Sequence, residues 1–230
     1  MRTLFVTASG TTVGKTFIAA ALARALTGAG KSVAVAKPVI SGFTWETAAD
    51  CDTAILLKSI GQEPTRDAIV QASPWRFAAA LAPDMAARHE RRTVDFDALV
   101  KFCRDAQRGD GDLLLIEGVG GVMAPLDDRH TVLDWITALS ESAPDPAPAL
   151  LVVGSYLGAI SHGLTAVAAL EARGITIAGV VVDESEDSTV PLADTVATLK
   201  RFLPSVKLAT VPRGADAEAV LKALGPVVSV

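Results

Sequence analysis

The amino-acid sequence predicts an α/β domain in which helices cover both faces of a mostly parallel central sheet. Short, continuously apolar runs, which are typical of parallel strands buried on both faces, recur along the chain. Longer segments with helical periodicity lie between these runs. Because each parallel strand must be reached by a crossover connection, this alternation indicates a series of right-handed βαβ units.

The individual elements follow from the same patterns. Strands are predicted at residues 4–6, 33–36, 113–116, 149–153, 175–182 and 207–211. Helices are predicted at residues 15–29, 52–60, 96–106, 132–139, 160–173, 190–202 and 218–224. Residues 73–85 have no clear period, so we expect a loop with short turns there. Pro144, Pro146 and Pro148 mark a linker.

Length and composition limit the classes of function. At 230 residues the chain suits one domain spanning 1–230, and an aromatic content of 5% predicts a core of Ala, Val, Leu and Ile. A net charge of −5 argues against nucleic acid as a partner, and no apolar run approaches the roughly 18–20 residues that cross a bilayer. The N-terminus does not resemble a signal peptide, and Cys51 and Cys103 cannot make a disulfide framework. We therefore expect a cytoplasmic protein that binds neither nucleic acid nor membrane.

One stretch near the N-terminus has the pattern of a phosphate-binding loop. Residues 7–16, TASGTTVGKT, follow an apolar strand and open an Ala-rich helix. In such a loop the backbone N–H groups and the helix N-terminus bind a polyphosphate, the lysine contacts the β- and γ-phosphates, and the final hydroxyl ligates Mg²⁺. The candidate nucleotide-binding residues are Gly10, Thr11, Thr12, Val13, Gly14, Lys15 and Thr16. The alternative is a glycine-containing turn that caps a helix.

Acidic residues near the predicted strand ends are candidates to bind a metal ion, because ligands of parallel sheets bind at the carboxyl ends of the strands. Glu117 follows an apolar strand directly, and Asp52 opens a helix. Together with the Thr16 hydroxyl they offer the hard oxygen ligands that Mg²⁺ prefers. The alternatives are a solvated acid for Glu117 and an ordinary helix N-cap for Asp52.

Lys37 is a second cationic candidate. It emerges from a buried strand and is followed by Pro38, a position that a surface charge explains poorly. Opposite Lys15, it could hold a transferring phosphoryl group beside an anionic acceptor, since phosphoryl transfer depends mainly on positioning and electrostatic stabilisation. Ser41 lies in the same segment and could hydrogen-bond a small substrate. A structural lysine at a strand end is the alternative for Lys37.

Taken in order, these motifs resemble those of the dethiobiotin synthetase family, which has a P-loop NTPase-like fold. The matching segments are 10–16 (GTTVGKT), 37–42 (KPVISG), Asp52, 117–121 (EGVGG) with Pro125-Leu126, and 157–162 (LGAISH). Residues 74–77 with Pro83, and the pair Asp134-Trp135, also resemble family features. The resemblance extends over essentially the whole chain, and KPVISG is much more specific than the phosphate loop.

The resemblance implies an ATP- and Mg²⁺-dependent ring closure. One amine of 7,8-diaminononanoate captures CO₂, supplied as CO₂ or bicarbonate, to form a carbamate. The γ-phosphoryl group of ATP activates the carbamate as a carbamic-phosphoric anhydride, and the second amine closes the ureido ring. Family members are homodimers with the active site at the interface, where the substrate tail reaches a helix N-terminus of the second subunit.

Matched positions imply roles for residues of this chain. The catalytic residues would be Lys37, Lys15 and Thr11, and the metal ligands would be Thr16, Asp52 and Glu117. The nucleotide would also contact Glu117, Asp183 and Pro212. The substrate would contact Ser41, Gly118, Gly121, Leu157, Gly158 and Ser161, the last three from the second subunit.

Three positions depart from the family pattern. The family usually has Gly-Thr-Asp-Thr where residues 8–11 of this chain are ASGT, so an acidic side chain near the phosphates is missing and we expect altered phosphate handling at Ser9 and Gly10. Ser161 replaces an Asn and has a shorter reach. Asp183 replaces a base-reading Asn, and because an Asp can only accept hydrogen bonds it suits exocyclic amines such as cytosine N4 or guanine N2. We therefore hypothesise a relaxed or altered base preference, in which other nucleoside triphosphates replace ATP.

Two other functions are alternatives. A nucleotide-switch ATPase of the ParA or MinD type carries a signature lysine early in the loop, where this chain has Gly10. The acidic composition and the lack of a basic amphipathic C-terminal helix also argue against that class. A ligase of the cobyrinate-amidating type shares the nucleotide fold but normally needs a glutaminase domain, for which 230 residues leave no room.

Overall fold

A computed structural model describes residues 1–141, 146–186 and 188–225 of the chain. Its strands are β1 (Arg2–Ala8), β2 (Val33–Ala36), β3 (Val39–Ser41), β4 (Trp75–Phe77), β5 (Leu113–Glu117), β6 (Ala149–Val153), β7 (Ile177–Asp183) and β8 (Leu208–Val211). The main sheet has the order β2-β5-β1-β6-β7-β8, and every neighbouring pair in it is parallel. β3 and β4 form a separate two-stranded parallel sheet.

Helices connect these strands and cover both faces of the main sheet. In chain order they are α1 (Lys15–Gly28), α2 (Asp52–Ser59), α3 (Arg66–Ala72), α4 (Pro83–His89), α5 (Phe96–Gln107), α6 (Val132–Glu141), α7 (Ala159–Ala172), α8 (Leu192–Phe202) and α9 (Ala217–Leu224). None of these helices is long and apolar enough to cross a membrane. The predicted α/β fold, with its parallel sheet between two layers of helices, is confirmed.

Each face of the sheet has its own apolar core, because alternate residues of a strand point to opposite faces. Phe5 of β1 packs edge-on against Trp135, with ring centroids 4.8 Å apart, on the face covered by α5, α6, α7 and α8. Leu4 and Val6 lie on the other face, which α1, α2 and α9 cover. Half of the buried residues of α1 are alanine, whose small side chains allow the helix to approach the sheet. That close approach places the start of α1 directly against the carboxyl ends of the strands.

The strand order changes direction beside β1. The chain runs from β1 to the edge strand β2 and to β5 on one side, and then crosses to β6, β7 and β8 on the other. In open α/β sheets ligands bind outside the carboxyl ends of the strands at such a switch point. The loop after β1, the residue after β2 and the last residue of β5 are neighbours at this point.

The prediction of an irregular loop over residues 73–85 is wrong. β4 lies within this segment and pairs with β3, and α4 begins at Pro83. A strand of three residues is too short to show a period, and its partner comes from a distant part of the chain. Pro at the first helical position is a known start signal, which the low periodicity of the segment obscured. β3 and α3 were not predicted either, for the same reason of length.

The predicted proline linker is described in part. Pro144 lies outside the described residues, whereas Pro146 and Pro148 directly precede β6. The Pro148 carbonyl oxygen accepts a hydrogen bond from the Phe5 backbone N–H at 2.9 Å. The end of the linker is thereby joined to β1, next to the strand that it introduces.

Candidate active site

The predicted phosphate-binding loop joins the end of β1 to the start of α1. Gly14 is the N-cap of α1 with a φ of 88°, a left-handed conformation that glycine adopts readily. No side chain of the described residues caps this helix, so its first N–H groups are available to bind an anion in the loop. Lys15 is buried, and its Nζ donates to the Gly10 carbonyl oxygen at 3.3 Å. The loop therefore has the geometry needed to bind a polyphosphate.

A network of polar side chains lies beside this loop. Lys37 Nζ lies 2.5 Å from Oε1 of Glu117, and both side chains are almost fully buried. The same Nζ lies 2.9 Å from Oδ2 of Asp52, whose side chain is 42% exposed. Thr16 Oγ1 donates to Glu117 Oε1 at 2.7 Å. The ends of β2 and β5 and the starts of α1 and α2 thus bring four predicted site residues together.

This network decides two alternatives that the sequence left open. The N-cap of α2 is Cys51, whose Sγ accepts a hydrogen bond from the Ala54 backbone N–H at 3.4 Å. Asp52 is therefore the first helical residue rather than the cap, and its carboxylate pairs with Lys37. Glu117 is 1% exposed, so it is not a solvated acid at a strand end.

Burial and charge act in opposite directions on the ionisable groups. Burial by itself would lower the pKa of Lys37, but the carboxylates of Glu117 and Asp52 outweigh it and raise that pKa above its usual value. Burial would likewise raise the pKa of Asp52, yet the Lys37 ammonium holds it below its usual value. Burial and the Lys37 charge lower the pKa of Lys15 to about 8. An anion bound in the loop would therefore stabilise the charged form of Lys15.

Glu117 has one carboxylate oxygen that a ligand could satisfy. Its Oε2 atom is buried and has no hydrogen-bond partner among the described residues. Leaving such an acceptor unsatisfied is costly unless a donor or a cation reaches it. Glu117, Asp52 and Thr16 provide hard oxygen atoms, which fit Mg²⁺ that also takes phosphate and water as ligands. The described part of the chain contains no group of three or more His, Cys, Asp or Glu side chains that could hold a metal by protein ligands alone.

The network lines a cavity of about 620 Å³ at the carboxyl ends of the strands. The predicted residues that line it are Thr11, Thr12, Gly14, Lys15, Thr16, Lys37, Ser41, Asp52, Glu117 and Gly121. Ser41 Oγ is buried without a hydrogen-bond partner in the described ranges, so it is available to a bound molecule. Residues 80–83, between β4 and α4, also line the cavity. Their contribution was missed because the segment was predicted to be an ordinary loop.

A second cavity, of about 450 Å³, adjoins the same loop and shares Thr12, Gly14 and Phe17 with the first. Asp183 lines it at the end of β7. Burial raises the pKa of Asp183 to about 6, an effect that the Arg213 guanidinium opposes and that Glu184 reinforces. Glu184 and Arg213 were not predicted as site residues. Glu184 directly follows β7, and Arg213 lies two residues after the end of β8, so their positions at strand ends were the available signal.

Comparison with known proteins agrees with this geometry. A family model described as an AAA domain matches residues 2–220. The ATP-dependent dethiobiotin synthetase BioD of Acidiphilium cryptum is 44% identical over 204 residues, which cover 88% of this chain and 89% of that protein. The protein of the same name from Caulobacter vibrioides is 43% identical over 220 residues, or 95% of this chain and 96% of that protein. The chain belongs to the dethiobiotin synthetase family.

Solved structures with a similar fold are more distant from this synthetase in sequence. The chloroplast FtsY of Physcomitrella patens has a TM-score of 0.55 at 19% identity, covering 97% of this chain and 65% of that one. A chain of the MinC:MinD cell division protein complex of Aquifex aeolicus has a TM-score of 0.55 at 16% identity, covering 97% of this chain and 86% of that one. At these identities the likeness shows the P-loop NTPase-like fold alone.

The predicted nucleotide contacts line one or both cavities, except for Gly10 and Pro212. Val13 and Asp183 line the second cavity and not the first. Gly10 lines neither, but its carbonyl oxygen receives the Lys15 ammonium. Pro212 lines neither and lies between β8 and Arg213, which lines the second cavity. The roles of these residues stay predictions.

Four of the predicted substrate contacts lie away from both cavities of a single chain. Gly118 is buried, and a Cβ at that position would lie 2.9 Å from Cε1 of Phe5, so its backbone packs against β1. Leu157, Gly158 and Ser161 surround the start of α7, where Leu157 is 87% exposed. If these three residues contact substrate in a synthetase, they do so from a second copy of the chain.

Proposed function

We propose that this chain is an ATP- and Mg²⁺-dependent cyclo-ligase that makes the ureido ring of dethiobiotin from 7,8-diaminononanoate and CO₂. The observation that carries the proposal is the buried Lys37, which lies between Glu117 and Asp52 beside the phosphate-binding loop. Membership of the dethiobiotin synthetase family supplies the reaction, and the cavity of about 620 Å³ is large enough for a triphosphate end and a short diamine.

The reaction begins with one amine of the substrate, which adds to CO₂ and loses a proton to give a carbamate. A carbamate oxygen attacks the γ-phosphorus of ATP, and the bond from that phosphorus to the ADP oxygen breaks. The second amine then attacks the carbamoyl carbon of the mixed anhydride and loses a proton, releasing phosphate and closing the ring. Phosphoryl transfer brings the carbamate and the triphosphate, two anions, together, so its barrier depends on fixed positive charge.

Residues of this chain provide that charge. Lys15 and the N–H groups at the start of α1 bind the phosphates, and Thr11 and Thr12 line the same part of the cavity. Lys37 offsets the repulsion between the carbamate and the γ-phosphoryl group. Ser41 Oγ, which has no partner in the described residues, hydrogen-bonds the diamine or its carbamate. Thr16, Asp52 and Glu117 would hold Mg²⁺, which supplies further neutralisation of the phosphates when bound.

We also propose that the enzyme is a homodimer with the active site at the interface. The apolar tail and carboxylate of the substrate extend from the cavity toward Leu157, Gly158 and Ser161 of the second copy. Gly121 lines the cavity, and the predicted contact of Gly118 is its backbone, which packs against β1 next to this wall. The support is the exposure of Leu157 and the free helix start at Gly158, which no described side chain caps. We assign residues 1–230 to one domain that acts in the cytoplasm, where ATP is available.

The nucleotide-switch alternative receives support only from the fold shared with a chain of the MinC:MinD complex. The two relatives compared with this chain by sequence are dethiobiotin synthetases, at 43–44% identity over most of the chain. Neither they nor the residues of the cavity favour a cobyrinate-amidating ligase. We therefore retain ring closure as the proposed reaction.

Product analysis tests the proposal directly. The full chain is incubated with labelled bicarbonate, 7,8-diaminononanoate, Mg²⁺ and ATP, CTP or GTP in turn, and labelled cyclic urea is separated from free bicarbonate. We expect labelled product with at least one nucleotide and none when the diamine is omitted. The absence of labelled cyclic urea with every nucleotide would refute the proposed function.

A further inference from the structure

The second cavity contains a carboxylate that has no hydrogen-bond partner among the described residues. Asp183 ends β7 and is half-buried in the cavity of about 450 Å³. No donor from the described part of the chain lies within hydrogen-bond or salt-bridge distance of its oxygens. A partly desolvated anion without a donor is unfavourable, so this position suits a ligand that brings N–H groups to it.

The other charged residues of this cavity are already paired. Oε2 of Glu184 accepts a hydrogen bond from the Arg213 backbone N–H at 2.8 Å. The Arg213 guanidinium lies 2.7 Å from Oε1 of Glu186 in a largely exposed salt bridge. Asp183 is therefore the carboxylate that remains to contact a bound molecule.

The position of Asp183 relative to the phosphate loop identifies that molecule as the nucleoside end of the triphosphate. Thr12, Gly14 and Phe17 line both cavities, so a ligand whose phosphates lie in the loop has the second cavity directly beside it. Asp183 lies directly against the loop, because a Cβ at Gly14 would come within 2.0 Å of its Oδ2. Lys37, Asp52 and Glu117 line the first cavity only. Phosphoryl transfer would therefore take place in the first cavity, and the base would lie in the second.

We propose that Asp183 makes guanine the preferred base, so that GTP is a better co-substrate of this chain than ATP or CTP. Guanine presents two adjacent donors, N1–H and N2–H₂, which match the two acceptor oxygens of a carboxylate. Adenine and cytosine each place one amine beside a ring nitrogen that is an acceptor, and that nitrogen would face a negative oxygen. The proposal rests on the proposed function, in that the loop binds a nucleoside triphosphate, and it names GTP in place of ATP as the preferred co-substrate of the same ring closure.

The ionisation of Asp183 provides an independent signature of this contact. The residues from the loop and α1 that face it are Thr12, Val13, Gly14 and Phe17, none of which titrates. The charged groups that face it are Glu184 and Glu186 after β7, and Arg213 after β8. Burial raises the pKa of Asp183 to about 6 against the effect of Arg213. Above that pH the group only accepts hydrogen bonds; below it the acid donates one and accepts one, as adenine requires, so the preference for guanine should fall.

Calorimetric binding of Mg²⁺ complexes of non-hydrolysable β,γ-imido nucleotides to the full chain tests the proposal. At about pH 7.5 we expect the guanine analogue to bind at least about tenfold more tightly than the adenine and cytosine analogues. The hypoxanthine analogue, which lacks the 2-amino group, should bind about fivefold more weakly than the guanine analogue. The ratio between guanine and adenine should decrease as the pH falls through about 6.

Two variants separate base reading from loss of charge. Asp183→Asn should reverse the order, favouring adenine over guanine, and should abolish the pH dependence of the ratio. Glu184→Gln removes one negative charge from the same cavity but leaves Asp183 in place, so both affinities should change by a similar factor. Tighter binding of adenine or cytosine by the unaltered chain, or an unchanged ratio in Asp183→Asn, would overturn the proposal.

The outcome is separable from that of the proposed function. Cyclic urea formed without a preference for guanine refutes the base assignment and supports the reaction. Guanine preference without cyclic urea under any nucleotide does the reverse. If no nucleotide analogue binds, both proposals fail.

Discussion

Glu117 and Asp183 each end a strand of the same parallel sheet, yet their surroundings are opposite. Glu117, at the end of β5, is 1% exposed and receives the Lys37 ammonium and the Thr16 hydroxyl. Asp183, at the end of β7, is half-buried and receives no donor from the described residues. The cation near Asp183 is Arg213, whose guanidinium pairs with Glu186 instead.

The difference arises from the neighbouring strands. β2 lies next to β5 and is followed directly by Lys37, so an ammonium reaches the end of β5. β8 lies next to β7 and is followed by Pro212, which has no N–H and carries no charge. The parallel sheet places both acids at the carboxyl ends of its strands. The residue that follows the adjacent strand decides whether a cation pairs with the acid. A neutralised acid suits phosphate chemistry, whereas an open acid suits recognition of N–H groups.

Removal of Lys37 should have the largest effect. We expect Lys37→Met to lower turnover about a thousandfold, because it removes fixed positive charge from the site of phosphoryl transfer. It also leaves the buried Glu117 without its cation, so a lower melting temperature is expected. Turnover is measured well below the melting temperature of the variant, with Lys101→Met as control, since Lys101 pairs with Asp105 on the surface. Full turnover by Lys37→Met would show that Lys37 does not stabilise the phosphoryl transfer.

The two acids of the paired site should differ in their effect on Mg²⁺. We expect Glu117→Gln to raise the Mg²⁺ concentration needed for half-maximal nucleotide binding by about thirtyfold, and Asp52→Asn by about tenfold. Glu117 is buried and has a free oxygen, whereas Asp52 is partly exposed and replaceable by water. The measurement is nucleotide binding by calorimetry over a Mg²⁺ titration. Equal or smaller shifts than in Asp183→Asn would exclude these residues as metal ligands.

Gly14 lines both cavities, and we expect that it tolerates no side chain. Gly14→Ala combines a φ of 88° with a contact of 2.0 Å to Asp183, so we expect a loss of about 1–3 kcal/mol in stability and weaker nucleotide binding. Adding Asp183→Ala should relieve the contact and restore part of the loss, leaving the backbone strain. Gly28→Ala is the control, since no described residue outside its own helix turn and its chain neighbours lies within 4 Å of a Cβ there. Urea unfolding measures all three, and a neutral Gly14→Ala would contradict the geometry.

The smallest effect is a difference in the sign of pH dependence. The pKa of Asp183 is raised in the folded chain, so its contribution to stability is lost as pH rises through about 6. Asp183→Asn should therefore increase the melting temperature by about 1–3 °C near pH 7.5 and by nothing near pH 4. The pKa of Asp52 is lowered by Lys37, so its contribution is present at neutral pH and is lost as pH falls.

Asp52→Asn should accordingly decrease the melting temperature near neutral pH, and the decrease should shrink in acid. Thermal melts of both variants and the unaltered chain across this pH range provide the measurement. The same sign of shift for the two variants near neutral pH would show that the two acids have similar surroundings, and the contrast between the sites would be lost.

The sequence by itself determined the parallel sheet, the helices on both faces and the family. Long helices and apolar strands such as β5 and β6 carry their own periodicity, because burial on both faces requires apolar side chains at every position. The motifs at residues 10–16 and 37–42 are contiguous, so their identity needs no contact from elsewhere. The short strands β3 and β4 lack this local signal and depend on each other across the chain.

Only the tertiary structure decided the state of each charge. Glu117 and Lys37 are 80 residues apart, and their contact arises because β2 and β5 are neighbours in the sheet. Asp52 was equally compatible with a cap until Cys51 was seen to occupy that position. The carboxylate of Asp183 has no partner among the described residues because the Arg213 guanidinium pairs with Glu186, a choice that no local sequence pattern encodes. Burial and pairing are properties of distant neighbours, so they enter only when the chain is folded.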